Sequence, residues 1–253
     1  MKTQKIALVT GASRGLGRNM ALALAQKGND VIITYNSKKE EAEEVVAAIE
    51  ALGQKGAALQ LDVSKIKTFD DFVGQLNTLL NDKWQRQNFD FLVNNAGIGI
   101  NTPFTETTEE QFDLLTNIHF KGVYFLIQKT LAILANGGRI INVSTGLTRF
   151  SMPGYSAYAA LKGAIEVLTK YLAKELGARQ IAVNAIAPGA IETDFGGGVV
   201  RDNDQVNSII ASNTALGRAG LPDDIGGVVA FLCSEEGRWI NAQRLEVSGG
   251  MFI

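Results

Sequence analysis

Short apolar runs rich in β-branched residues recur along the chain, and between them lie longer stretches whose apolar residues return at helical spacing. The runs occupy residues 6–10, 31–35, 57–62, 89–94, 139–144, 181–187 and 244–247, and read as seven strands. Most are apolar at successive positions, not at alternate ones. A strand of that kind is buried on both faces, as in a parallel sheet covered by helices. Residues 16–27, 40–52, 68–82, 109–135 and 156–177 have helical spacing or length. The alternation predicts right-handed crossovers and an α/β, doubly wound sheet of seven mainly parallel strands with helices on both faces. Ligands of such sheets bind beyond the carboxyl ends of the strands, so chemistry is expected just after each strand.

Nothing in the composition divides this pattern. The 253 residues, 46% of them hydrophobic, supply a substantial core, and prolines at 103, 153, 188 and 222 form no linker, so residues 1–253 are predicted to be one domain. One connection stands out: residues 193–215, with Phe195-Gly196-Gly197-Gly198, are long and glycine-rich and read as a lid over a substrate. A net charge of −2 with mixed signs gives neither a nucleic-acid footprint nor a polybasic membrane surface. No apolar stretch approaches a membrane span, and the first strand begins after five residues, which leaves no room for a signal peptide. The single cysteine, Cys233, lies beside Ala230, Phe231 and Leu232, so a cytoplasmic protein with a core thiol and no disulfide framework is expected. One histidine, His119, and that one cysteine make no zinc site, and no metal is expected.

Candidate chemistry sits at the strand ends. Gly11-Ala12-Ser13-Arg14-Gly15-Leu16-Gly17 follows the first strand and opens the first helix. Glycines there let the backbone approach a pyrophosphate, whose charge the helix amino terminus favours. The spacing Gly-x-x-x-Gly-x-Gly differs from the commonest dinucleotide fingerprint. Tyr158 and Lys162 stand four residues apart, hence on one helix face, where the ammonium favours the phenolate form of Tyr158. Spacing alone is weak, because Tyr35 and Lys39 repeat it. Context separates the two pairs: Ser144 and Thr145 end the strand before Tyr158, whereas Tyr35 itself ends the second strand.

These features stand in fixed order with Asn94-Asn95-Ala96-Gly97, Pro188-Gly189 and Val247-Ser248-Gly249-Gly250. Together they resemble the short-chain dehydrogenase/reductase family in its single-domain, Rossmann-like form, over essentially the whole chain. The resemblance implies an NAD(P)(H)-dependent oxidoreductase of carbonyl or alcohol groups. By it, Gly11, Arg14, Gly15, Leu16 and Gly17 line the pyrophosphate and adenosine side, while Asp62 and Val63 meet the adenine. Asn94, Ala96 and Gly97 border the cofactor, and Pro188, Gly189, Ile191 and Thr193 lie along the nicotinamide. The catalytic hydroxyl falls thirteen residues before the tyrosine, at Thr145, where serine is usual. Ser144 is the alternative, expected to point to the opposite face. In reduction Tyr158 gives a proton to the developing alkoxide, Thr145 holds that oxygen, and Lys162 lowers the tyrosine pKa and holds the nicotinamide ribose. Asn117 positions a water that serves Lys162. An Asn inside a helix also predicts a local kink. His119, two residues on, is read as a packing or interface residue on another face.

The second strand ends in Thr34-Tyr35-Asn36-Ser37-Lys38-Lys39, with no acid before Glu40. A carboxylate there would accept from a ribose hydroxyl and repel a 2′-phosphate. With Asn36, Ser37 and Lys38 as donors and Arg14 nearby, NADP(H) is the preferred cofactor and NAD(H) stays open. Gly99, Arg149, Met152, Tyr155, Phe195 and Val199 are the candidate pocket for a small-molecule carbonyl substrate. An NADPH-dependent ketone reductase or secondary alcohol dehydrogenase is the leading reading, and a 3-oxoacyl-[acyl-carrier-protein] reductase is the alternative. For the latter, Arg179 occupies one of two basic carrier-binding places and Asn136 leaves the other uncharged. A non-catalytic nucleotide-binding protein would show a broken Tyr, Lys or hydroxyl position, and all are filled. The resemblance also implies a homotetramer built on the long helices with Leu115, Ile118, Val123, Phe125, Val167, Leu168 and Leu172. Residues 79–89 are longer than is usual before the fourth strand, with no function assigned.

Overall fold

Seven strands form where the apolar runs lie: β1 (Ile6–Val9), β2 (Asp30–Tyr35), β3 (Gly56–Gln60), β4 (Phe89–Asn94), β5 (Leu134–Val143), β6 (Ala182–Pro188) and β7 (Arg244–Val247). The computed structural model describes residues 4–253. The strands join in the order β3-β2-β1-β4-β5-β6-β7, and every pairing between them is parallel. Successive strand residues feed two separate cores. Ala7 and Val9 of β1 pack to one side, against α1 (Gly15–Gln26), α2 (Lys39–Ala51) and α9 (Asp223–Leu232). Ile6 and Leu8 pack to the other, against α3 (Phe69–Trp84), α5 (Gly122–Thr130) and α6 (Ser156–Glu175). Both faces are therefore dry, which is why the runs are continuously apolar. No described helix is long and apolar enough to cross a membrane.

Three stretches depart from the sequence reading. The helix expected over 109–135 divides into α4 (Glu109–Thr116), a π-helical turn at Asn117–Lys121 and α5. Leu134 then already pairs with Phe89, so the last predicted helical residues belong to β5. The segment 193–215 is not a plain glycine-rich loop. Gly196, Gly197 and Gly198, at φ of 63°, 79° and 78°, turn the chain into two short helices, α7 (Val199–Asp202) and α8 (Asp204–Ser212). Asn203 caps α8 by accepting from the Val206 amide at 3.0 Å. Helix α9 was not foreseen, because Gly226-Gly227 interrupts its propensity. The structure explains Gly226: Asn19 of α1 comes against it and accepts its amide proton at 2.9 Å.

The long segment before β4 is an extension of α3. Trp84 donates its indole N–H to the buried Asp30 carboxylate at 2.8 Å, and Gln85, at φ 51°, ends the helix. Arg86 then pairs with the buried Asp90 at 2.8 Å. These contacts close the amino-terminal edge of the sheet, opposite the strand ends where ligands bind.

Candidate active site

The strand order reverses between β1 and β4, and a cleft of about 650 Å³ opens at their carboxyl ends. Thr10 and Asn95 lock the two strand ends together. Thr10 Oγ1 accepts from the amides of Asn95 and Ala96, each at 3.0 Å. Asn95 Nδ2 donates back to the carbonyls of Thr10 and Gly11 at 2.9 and 3.0 Å. Gly11 lies so close to Ala96 that a Cβ would come within 2.8 Å of its Cα. Gly11 and Gly15 have φ of 61° and 56°, and Gly17 has no room for a side chain against the Gly11 carbonyl. The first turn of α1 carries no capping side chain and no acid, and its residues Gly15, Leu16 and Gly17 line the cleft. These residues fit a dinucleotide pyrophosphate.

Nearly all of the proposed cofactor residues line this one cleft. Arg14, Leu16, Asn36, Ser37, Asp62, Val63, Ala96, Gly97, Pro188, Gly189, Ile191 and Thr193 are all on its wall. Asn94 is not. Its side chain is buried and donates to Asn142 Oδ1 at 2.9 Å, in a chain that continues to Thr169 on α6. Strand alternation turns Asn94 away, and its neighbour Asn95 takes the position at the cleft.

Tyr158, Lys162 and Thr145 come together on the floor. The Thr145 hydroxyl lies beside the Tyr158 phenol, while the Ser144 side chain donates to Glu166 Oε1 at 2.6 Å. Lys162 donates to the Val143 carbonyl at 2.7 Å and lies 5.7 Å from the Tyr158 ring centre. The expectation that Lys162 draws the phenol into its ionised form needs correction. Burial dominates both groups: it pushes the Tyr158 pKa well above the ordinary phenol value, against the smaller pull of the neighbouring Thr145 hydroxyl, and lowers Lys162 to about 8. The phenol is thus held protonated, ready to donate. Tyr35, of the competing pair, lies at the adenosine end of the cleft, and Lys39 pairs with Glu43 at 3.5 Å.

Asn117 does not line the cleft. The kink it predicted is real, since the Gly122 amide bonds the Asn117 carbonyl across a π turn. That turn swings His119 inward. His119 is 1% exposed, lines the cleft and meets the Tyr158 ring edge-on at 5.0 Å. It was expected on another face, because regular α-helical spacing does not anticipate an extra residue in one turn. Burial and the charge of Lys162 lower its pKa to about 3.

The rest of the cleft is lined by Gly99, Leu147, Phe150, Met152, Tyr155 and Phe195, with Val199, Val206 and Met251 beside them. Arg149 is absent from it. Its guanidinium forms a two-pronged pair with Glu246 at 2.6 and 2.7 Å and reaches the Phe252 carbonyl at 3.0 Å. Beside it, Arg244 of β7 donates to Glu166 at 2.7 Å and to the Thr145 carbonyl at 3.1 Å. Glu166 also accepts from Thr148 at 2.7 Å. Thr145 is therefore held from behind by an ionic network that no local sequence signal announced. Cys233 is buried, and its thiol pKa is pushed up to about 12, which leaves it inert.

Comparison with known proteins gives matches over almost all of this length. A family model described as enoyl-(acyl carrier protein) reductase matches residues 11–252. The hydroxynaphthalene reductase-like protein Arp2 of Metarhizium majus is 34% identical, across 97% of this chain and 94% of its own. Among solved structures, the promiscuous reductase LugOII, which catalyses keto-reduction at C1 in lugdunomycin biosynthesis, superposes with a TM-score of 0.94 at 34% identity, each chain covered completely. The angucycline C-6 ketoreductase LanV with bound NADP gives 0.93 at 35% identity, covering 98% of this chain and 95% of that one.

Proposed function

The chain belongs to the short-chain dehydrogenase/reductase family, and from that premise we propose that it is an NADPH-dependent reductase of neutral, largely apolar aromatic ketones. Membership makes it an NAD(P)-dependent oxidoreductase acting on C=O or CH–OH groups. The observation that carries the finer reading is the composition of the cleft. A protonated phenol and a threonine hydroxyl stand against a wall of Leu147, Phe150, Met152 and Phe195, and the acid next to it, Asp194, is paired with Arg201 at 2.6 Å. Such a wall solvates an aromatic body and offers nothing to a carboxylate or phosphate. The names of the relatives, which speak of hydroxynaphthalene and angucycline, support an aromatic substrate.

When bound, NADPH supplies the hydride. Gly11, Gly15 and the first turn of α1 hold its pyrophosphate, and Asn36, Ser37 and Arg14 favour the 2′-phosphate, with no acid at the end of β2. NADP bound to LanV supports that preference. Tyr158 gives its proton to the carbonyl oxygen, Thr145 donates a hydrogen bond that holds the same oxygen, and the lid segment 193–215 covers the substrate. Lys162, its ammonium fixed on the Val143 carbonyl, keeps a positive charge beside the phenol as the phenolate forms.

The carrier-protein alternative ranks lower. Arg179 is engaged with Asn136 Oδ1 and the Leu131 carbonyl, each at 2.8 Å, and so serves the turn into β5. Purified protein is expected to consume NADPH with neutral bicyclic or polycyclic ketones, and its kcat/KM is expected to fall at least about ten-fold when NADH replaces NADPH. A preference for NADH, or for a carrier-linked ketoacyl substrate, would overturn the reading.

Assembly as a homotetramer is proposed on the same family ground, with revised contacts. Leu115 and Ile118 are core residues, whereas Phe112, Leu114, Tyr124, Val167 and Tyr171 are the large apolar residues of these helices that are exposed. Sedimentation equilibrium is expected to give four times the chain mass, and a monomer at micromolar concentration would defeat the proposal.

A further inference from the structure

His119 has contacts that a packing residue does not need. Its Nε2 lies 2.8 Å from the Ile98 carbonyl oxygen, and the Ile98 amide directs its N–H to the same nitrogen from 3.3 Å. The two contacts compete for Nε2; a carbonyl oxygen can only accept, so the shorter contact assigns the proton to Nε2. In the neutral ring Nδ1 is then a bare acceptor, and it is buried with no partner among the described protein atoms. A buried acceptor left unpaired is costly. The surroundings are shaped for the ring all the same. A Cβ at residue 97 would lie 2.8 Å from its Cε1, so Gly97 makes room for it. On its other side the ring stands at 88° to the Tyr158 ring.

We propose that His119 is a positioning residue of this active site: as the Nε2–H tautomer it pins the Tyr158 ring to the loop after β4, and its Nδ1 accepts a hydrogen bond that the occupied site supplies. The inference rests on the function proposed above for Tyr158. The pin joins three elements, the π turn, α6 and the Ile98 loop, whose residues reach both cofactor and substrate sides of the cleft. The donor to Nδ1 is an N–H or O–H group, brought either by water or by the dinucleotide itself. Lys162 and Tyr158 are the titratable groups that α6 presents to the ring, and the positive charge of Lys162 opposes a second proton on it.

His119 is the one histidine in the chain, so nitrogen NMR of histidine-labelled wild-type protein reads it without assignment. The expected spectrum shows a neutral ring protonated on Nε2, unchanged between about pH 5 and pH 8, the range where a free imidazole titrates. Addition of NADP+ is expected to shift Nδ1 toward a hydrogen-bonded acceptor if the dinucleotide is the donor. If water is the donor, the shift follows only when an unreactive alcohol closes the site as well. An Nδ1–H tautomer, ordinary titration, or an Nδ1 signal indifferent to both ligands would overturn the proposal. Variants supply the second reading. His119→Phe keeps a ring but neither nitrogen, and is expected to lose at least about ten-fold in kcat through misplacement of the phenol, with NADPH affinity unchanged if water is the donor to Nδ1 and weakened if the dinucleotide is. His119→Asn, which can donate to Ile98 and still accept, is expected to recover most of that loss. Full kcat in His119→Phe would reduce the residue to packing. If no carbonyl compound is turned over by the wild type, the proposed function fails, and the tautomer and its response to NADP+ still decide the role of His119.

Discussion

Replacing Tyr158 by phenylalanine is expected to lower turnover by roughly two to four orders of magnitude, the usual worth of a positioned general acid. The aromatic ring, its edge contact with His119 and its burial all remain in the variant, and only the hydroxyl beside Thr145 is lost. NADPH affinity should therefore stay within about two-fold, since no cofactor-binding glycine is touched. Steady-state kinetics with an aromatic ketone, together with NADPH titration by fluorescence, separates the two effects. Unchanged turnover would remove Tyr158 from the chemistry, and lost NADPH binding would show that its role is structural.

Lys162→Met is expected to make the protein more stable and nearly inactive. The ammonium is 4% exposed, and burial has moved its pKa from 10.5 down to about 8. The folded protein thus binds fewer protons than the unfolded chain between those values, and wild-type stability rises with pH across that window. Below about pH 8 the full cost of burying the charge is present. Methionine removes that cost and forfeits one hydrogen bond to Val143, for a net gain on the order of 2 kcal/mol at pH 7. Denaturant unfolding at a series of pH values should show the gap between variant and wild type closing as pH approaches 10.5. A gap that stays constant with pH, or a variant less stable at pH 7, would contradict the assigned cost of the buried ammonium. Turnover is expected to fall by about two orders of magnitude or more, because the forming phenolate loses its neighbouring charge.

The sheet was legible because its strands are apolar on both faces, a pattern that period and composition expose without any alignment. The glycine turn was legible because its residues act locally, through backbone geometry within seven positions. Errors came where position depends on distant partners. Asn94 and Asn95 are interchangeable by type, and only the Thr10 and Gly11 carbonyls decide which of them meets the cleft. Arg149 looks like a pocket residue until Glu246, 97 positions later, claims it. The inward turn of His119 depends on the π geometry of Asn117–Lys121, and the mid-helix Asn signalled the distortion without showing which neighbour it would deliver. The lid was read from its glycines, whereas its helices follow from an Asn203 cap, a cue as plain as any other and simply outweighed by the glycine run.

The support behind Thr145 sets an order of events for a chain made from one end to the other. The carbonyl of Thr145 is held by Arg244, 99 positions further on, and Arg149 is tied to a carbonyl 103 positions beyond itself. A nascent chain that has emerged only through α9 can already carry the glycine turn, the Tyr158 helix and six of the seven strands. It still lacks the clamp on the Thr145 carbonyl, which forms only when β7 docks on the edge of β6.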